Sequence, residues 1–183
     1  SSTASLLEAL KQITPTDILV TLPTSKDQLI WKGQKLAGYT EFFRSYYQNN
    51  AIAMTFKGVA QNVLLVTDHV PLKDVTKFAT KEHITEKTLT TIDFYPLDEV
   101  IFSGLNPHVG ENGILGNEDQ VIFSSIAELK KQSPLLFKGP FSGDTLHMHT
   151  DLSKKQLFVY MFHAQGLAQF KAMHGLIGLN VSM

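Results

Sequence analysis

The sequence predicts an α/β fold with a mostly parallel or mixed sheet flanked by helices, and two observations carry that prediction. Short continuous apolar runs recur at residues 18–22, 51–56, 63–67, 100–103 and 157–161, the signature of strands buried on both faces. Helix-like stretches such as 122–131 lie between several of them, and strands alternating with helices build layered sheets.

Taken in order, the first element is a helix with Leu6, Leu7, Leu10 and Ile13 on one face. Ser5 and Glu8 stand at capping-box spacing near its start, and Pro15 ends it. The run 18–22 then reads as a buried strand that gives way to the loop Pro23-Thr24-Ser25-Lys26. A second helix runs from Thr40 as N-cap through Phe43 towards Tyr47. The remaining apolar runs repeat the strand signature, and Asn180-Val181-Ser182-Met183 reads as the start of a further strand. There is no internal repeat, low-complexity tract or long Pro/Gly/Ser linker.

Composition narrows the chemistry. With 43% hydrophobic and 18% charged residues in 183, the chain has the make-up of a globular domain. No apolar run approaches the roughly 20 residues of a membrane span. Sixteen basic against 17 acidic residues, net -1, leave no electrostatic footprint for nucleic acid or an anionic membrane. The absence of cysteine removes disulfides, thiolate metal sites and cysteine nucleophiles, so any metal must be held by His, Asp or Glu.

Three of the seven histidines share a context. His69 follows the run ending at Thr67, His108 follows 100–103 through Gly104-Leu105-Asn106-Pro107, and His163 closes 157–162. Each lies just beyond the C-terminal end of a predicted strand, the edge of an α/β sheet where ligand and catalytic groups gather. Three neutral imidazoles converging there can bind a divalent metal and leave positions open for substrate; for any one of them taken alone, a locally bonded surface or core histidine is the competing reading. His147 and His149 would face the same way on an extended segment, but no buried strand precedes them, which favours a solvated loop. His83 sits in a polar stretch that reads as exposed, and His174 is undecided. The stretch 104–116 is too rich in Gly, Asn and Pro for regular structure and reads as a functional loop. It matches neither the G-x-G-x-x-G fingerprint nor a P-loop. Lys26, Lys73, Lys138 and Lys171 lie near turns or strand ends, where each is either a phosphate partner or a solvated lysine.

An ordered set of motifs resembles the 4-hydroxythreonine-4-phosphate dehydrogenase family of pyridoxal phosphate biosynthesis. It comprises Ala37-Gly38-Tyr39-Thr40-Glu41-Phe42-Phe43, Thr67-Asp68-His69-Val70-Pro71-Leu72-Lys73-Asp74-Val75, the 104–116 loop, Gly143-Asp144-Thr145-Leu146 and His163-Ala164-Gln165-Gly166-Leu167, with Lys171 beyond. The resemblance implies an isocitrate/isopropylmalate dehydrogenase-like fold of two α/β lobes, with 1–183 forming the central portion of the subunit and the family's N-terminal and C-terminal segments lacking a counterpart. It implies oxidation, with decarboxylation, of 4-phosphooxy-L-threonine to an aminoketone phosphate, NAD or NADP accepting the hydride and a divalent metal (Zn, Co, Mn or Mg) assisting. The family's three metal ligands carry over onto His69, His108 and His163 and come from both subunits of a cytoplasmic homodimer with a shared active site. Substrate-contacting positions carry over onto Tyr39, Thr40, Lys171 and Asn180, and the catalytic positions are Asp144 and Lys171.

Three departures are chemical, one of them Ser25-Lys26 where the family has a His-Lys pair. Tyr39 stands where the family has a substrate-binding histidine, and Ala164 where it has an acidic residue. They open two alternatives: a paralogue acting on threonate or erythronate phosphate, and a catalytically degenerate member that binds metal or a phosphorylated ligand.

Overall fold

The computed structural model describes residues 2–14, 16–175 and 179–182, and the chain divides into two compact units, Ser1–Asn50 and Ala51–Met183. In the first unit, helix α1 (Ser2–Gln12) starts three residues before Ser5, so the Ser5/Glu8 capping box does not form and Glu8 pairs instead with Lys11 at 3.2 Å. Pro15, read as its stop, lies outside the described residues. The side chain of Thr3 does the anchoring: its hydroxyl donates to Gln28 O (2.9 Å) and accepts from Ile30 N (3.0 Å). Strands β1 (Ile30–Trp31) and β2 (Gln34–Lys35) form a hairpin whose two turn residues, Lys32 and Gly33, both have positive φ, as a two-residue hairpin that follows the strand twist requires. Helix α2 (Tyr39–Tyr47) begins one residue before Thr40, so Thr40 is a buried first-turn residue and Gly38 holds the N-cap position. Leu6, Leu29, Leu36 and Phe42 form the core, with Trp31 edge-on to Phe42.

The expected strand at 18–22 does not form. Its residues are irregular, and Ile18, Val20 and Leu22 are 89%, 79% and 77% exposed. A β-branched apolar run becomes a strand only when another strand takes its backbone groups, and none among the described residues does.

The second unit is a six-stranded sheet. Its strands are β3 (Met54–Lys57), β4 (Asn62–Leu65), β5 (Glu99–Ser103), β6 (Leu136–Phe141), β7 (Gln156–Tyr160) and β8 (Leu179–Ser182), in the order β6-β5-β7-β4-β3-β8. The pairs β6/β5, β5/β7 and β7/β4 are parallel, while β3 runs antiparallel to β4 and β8. Helices α3 (Val75–Phe78), α4 (Lys81–Ile92), α5 (Gln120–Gln132) and α6 (His163–His174) complete the expected mixed α/β architecture.

Alternate residues of each central strand supply two cores. Leu64, Val100, Phe102, Leu157 and Val159 join Ile84, Ile122, Ile126 and Leu129 from α4 and α5 on one face. Val63, Leu65, Ile101, Phe158 and Tyr160 meet Leu146 and the α6 residues Leu167 and Phe170 on the other. Because both faces are covered, these strands are continuously apolar, which is why they were visible in the sequence. No helix among the described residues is long and apolar enough to cross a membrane.

At the N-terminal edge of the sheet Glu99 is 2% exposed and bonded to Lys138 (2.6 Å), Lys154 (3.3 Å) and Gln156 Nε2 (2.6 Å). Burial pushes its carboxyl up, but the hydrogen bonds from Lys138, Gln156 and Lys154 and the charge of Lys138 together outweigh it and hold the group below the ordinary 4.5. A depressed folded-state value stabilises the fold above the unfolded value, and that contribution disappears as pH falls through the folded one. Both lysines remain partly in water, so we expect Glu99→Gln to cost about 1–2 kcal/mol at pH 7. Denaturant midpoints should show the difference from wild type shrinking below about pH 4. Lys138 is thus paired with Glu99 at the sheet edge opposite the three histidines.

Candidate active site

The parallel strands deliver four loops to one edge. Beyond β4 come Val66, Thr67, Asp68 and His69; beyond β5 the 104–116 loop with His108; beyond β6 Ser142, Gly143 and Asp144; beyond β7 Met161, Phe162 and His163, which opens α6. Three sequence-predicted histidines and Asp144 thus share the C-terminal edge of one sheet.

The rings of His69 and His163 have their centroids 5.7 Å apart. Burial lowers the pKa of His163, and the positive charges of His69 and Lys171 lower it further against the opposing pull of Asp68. His163 is therefore neutral near pH 7, with a ring nitrogen lone pair to offer, which is the ligating form of imidazole. The Asp68 carboxylate accepts the His69 backbone N–H at 2.9 Å and so fixes the exit from β4. From α4, the buried Lys87 ammonium donates to Val66 O at the same exit, at 2.5 Å.

The loop after β5 holds the largest local distortion. His108, Val109, Gly110, Glu111 and Asn112 all have left-handed φ/ψ, with φ between 44° and 75°. A left-handed turn costs about 1–2 kcal/mol per non-glycine residue, and for a β-branched residue such as Val109 it is an outlier. Its surroundings over-determine it. Asp119, 1% exposed, accepts Leu105 N at 2.6 Å and Asn106 N at 3.2 Å. Val109 N donates to Asn106 O, Leu115 N to Gly110 O, and Asn106 Nδ2 to Glu118. At Gly110 an added Cβ would overlap the Gly116 carbonyl oxygen. Strain held this firmly concentrates at functional sites, and it presents His108, exposed, at the rim.

His108 and Asp144 flank a cleft of about 440 Å³ whose lining also includes Asn106, Gln165, Ala168 and Gln169. A side-chain hydrogen bond from Ser142 lowers the pKa of Asp144, and burial opposes it. Hydrogen bonds from the backbone and the charge of His108 add to the lowering. Asp144 is thus a carboxylate with an imidazole as neighbour, and Lys171 adds an exposed ammonium on α6.

Helix α6 approaches closely because Gly166 allows it: a Cβ there would stand 2.7 Å from Leu65 Cδ2 and 3.0–3.1 Å from Tyr160. Alanine in a helix gains about 1 kcal/mol over glycine, but overpacking two fully buried side chains costs about 1–3 kcal/mol. Gly166→Ala is expected to be net destabilising by up to about 2 kcal/mol, read as a lower urea midpoint at unchanged slope.

Other assignments move. His147 and His149 lie in a 3-10 turn (Leu146–His149), so the two-residue spacing of an extended strand does not apply, and His149 stacks on Phe141 at 4.0 Å. His174 is structural: Nδ1 bonds Phe170 O (3.0 Å) and Nε2 accepts Ala60 N–H (3.0 Å). His83, half-buried, bonds Phe78 O through Nδ1. Tyr39 and Thr40 belong to the first unit; the Tyr39 hydroxyl donates to Leu22 O at 3.0 Å, and Thr40 is 3% exposed. Asn180 pairs through its backbone with Phe56 in β3, and its side chain lies outside what the structure describes. Sequence reasoning missed Asp119, Gln165 and Gln169, which carry no signal until their tertiary partners are known. Among the described residues no three His, Asp or Glu side chains of this one chain are arranged to hold a metal.

The chain is α/β with a mixed, mostly parallel sheet, and its solved neighbours put that fold in the isocitrate/isopropylmalate dehydrogenase-like class. The solved 4-hydroxythreonine-4-phosphate dehydrogenase of Burkholderia phymatum superposes with TM-score 0.70 at 25% identity, covering 86% of this chain and 50% of that one. That of Klebsiella pneumoniae gives 0.68 at 25%, covering 80% and 46%. The model of the family "Pyridoxal phosphate biosynthetic protein PdxA" matches residues 2–183, and the chain belongs to that family. It is 34% identical over 169 residues to the 4-hydroxythreonine-4-phosphate dehydrogenase of Sulfurimonas denitrificans, covering 91% of this chain and 54% of the relative. With that of Aquifex aeolicus the figures are 33% over 173 residues, 90% and 52%. The chain spans about half the length of the curated relatives it matches.

Proposed function

We propose that the protein carrying this chain oxidises the secondary alcohol of 4-phosphooxy-L-threonine, with loss of carbon dioxide, in pyridoxal phosphate biosynthesis. It would act as a cytoplasmic homodimer, with NAD or NADP as hydride acceptor. The observation that carries the reading is the gathering of His69, His108, His163 and Asp144 on one sheet edge, together with family membership. The donor set fits a divalent ion: two imidazoles lie with rings 5.7 Å apart, and one is held neutral. His69, His108 and His163 would hold it across the subunit interface that the family's shared site implies. When bound, such an ion lowers the proton affinity of a coordinated hydroxyl and polarises a developing carbonyl.

The chain's own residues supply the rest. The His163 imidazole stays unprotonated, so it need lose no proton to act as a ligand. Lys171 pairs its ammonium with substrate phosphate or carboxylate, and the Asp144 carboxylate orients the reacting hydroxyl or takes a proton near His108. The chain has no G-x-G-x-x-G loop, so the hydride acceptor rests on the family resemblance alone and none of these residues is assigned to it.

One observation favours a second reading within the class. Tyr39 stands where the family has a substrate-binding histidine, and its hydroxyl donates to Leu22 O in its own unit; that replacement permits a paralogue acting on threonate or erythronate phosphate. Assay of the intact protein with NAD or NADP, each of Zn, Co, Mn and Mg, and the three phosphorylated substrates side by side decides between them. NADH or NADPH formation fastest with phosphooxythreonine supports the first reading; faster turnover of a sugar-acid phosphate supports the second. No reduction with any of them leaves the degenerate binding member.

A further inference from the structure

Helix α6 carries two glutamines one turn apart, and each uses both ends of its carboxamide. Gln165 Oε1 accepts Met161 N–H at 2.9 Å, and its Nε2 donates to Gly104 O at 2.7 Å. Gln169 Oε1 accepts the Tyr160 hydroxyl at 2.8 Å, and its Nε2 donates to Gly143 O. The partners fix both orientations. A backbone N–H only donates and a carbonyl oxygen only accepts, so flipping the Gln165 amide loses both its bonds and flipping that of Gln169 loses the one to Gly143 O.

These four bonds link three different loops. Met161 and Tyr160 mark the exit of β7, which leads to His163. Gly104 opens the loop that bears His108, and Gly143 precedes Asp144. Gly143 also leaves the room: a Cβ there would come within 2.8 Å of Gln165 Nε2. Gly104 N donates to Phe141 O at 2.7 Å and closes the tie between the β5 and β6 exits. Both glutamines line the cleft that His108 and Asp144 flank, yet their polar atoms are engaged with the protein.

We propose that Gln165 and Gln169 form a brace that sets the spacing of the His108, Asp144 and His163 loops, acting as positioning residues. The brace acts against a definite force, because the left-handed turn at 108–112 relaxes if its loop loosens. Its consequence for metal and substrate rests on the function proposed above; its mechanical part does not.

The test uses the intact protein with Gln165→Leu, Gln165→Glu and Gln169→Leu. In metal-free protein, amide hydrogen exchange should accelerate about tenfold in 104–112 for Gln165→Leu and in 143–149 for Gln169→Leu, the size expected when one hydrogen bond holding a loop is lost. Gln165→Glu keeps the bond from Met161 N–H but sets a carboxylate against Gly104 O, so 104–112 should accelerate while 161–166 keeps its protection. It keeps the side-chain volume and carries the test if Gln165→Leu does not fold. Calorimetric titration with Zn or Co should then show affinity about 10–100-fold weaker in each variant, the usual loss when a residue supporting metal ligands is removed. Wild-type exchange in these loops, or uniform acceleration over every strand as from general destabilisation, overturns the brace. If wild-type protein binds no divalent ion, the proposed function fails, while the exchange pattern still decides the brace.

Discussion

Replacing His163 by alanine is expected to reduce turnover by about 10³-fold while changing stability little. The estimate follows from the several kcal/mol of transition-state charge stabilisation that a bound ion supplies, at one factor of ten per 1.36 kcal/mol. His163 faces His69 with 5.7 Å between ring centroids and lies at the first position of α6. Its ring is only half-buried, so truncation strands no core contact. Steady-state rates with saturating divalent metal, set beside the unfolding midpoint, measure both parts. A variant that keeps more than a tenth of wild-type turnover argues against metal ligation by this ring.

The second large effect is on stability. Asp119→Ala removes the acceptor for two backbone N–H groups, Leu105 N and Asn106 N, at a residue 1% exposed. Hydrogen bonds to a charged group contribute about 1.5–3 kcal/mol each, and water from the cleft that Asp119 lines can replace part of them, so a loss of about 2–4 kcal/mol is expected. Asp119→Asn retains one carbonyl acceptor and should lose about half as much. Urea unfolding at constant slope tests the ordering Ala, then Asn, then wild type. Because the same carboxylate secures the start of the 104–116 loop, both variants should also weaken metal binding. An alanine variant as stable as wild type would mean that the left-handed turn is held by other contacts.

What the sequence disclosed and what it concealed divide along physical lines. Strands β4, β5 and β7 are buried on both faces, so each is a mainly apolar run that locates a histidine just beyond its end, while the parallel pairing that brings those ends to one edge is tertiary. Strand β6 was missed because Gly139-Pro140 interrupts it, and an edge strand tolerates a proline that a central one does not. The run 18–22 carried the same apolar signature without a pairing partner, and pairing is a tertiary fact. Of the five left-handed residues at 108–112, Gly110 favours a positive φ and His108 and Asn112 tolerate it, but Val109 and Glu111 do not, so the loop was legible as functional but not as a turn of left-handed helix. Asp119, Gln165 and Gln169 are ordinary polar residues in sequence; their role exists only through partners 4 to 61 positions away, backbone groups except for the Tyr160 hydroxyl.

The claim at the centre is that His69, His108 and His163 form one metal site shared between subunits. Anomalous scattering at the metal absorption edge, from crystals of the intact protein grown with zinc or cobalt, tests it directly. The expected result is one ion per active site within about 2.0–2.2 Å of a ring nitrogen of each of the three histidines, with two subunits contributing. An enzyme that turns over its substrate while its ion lies elsewhere, or with any of the three imidazoles remote from it, would contradict the account.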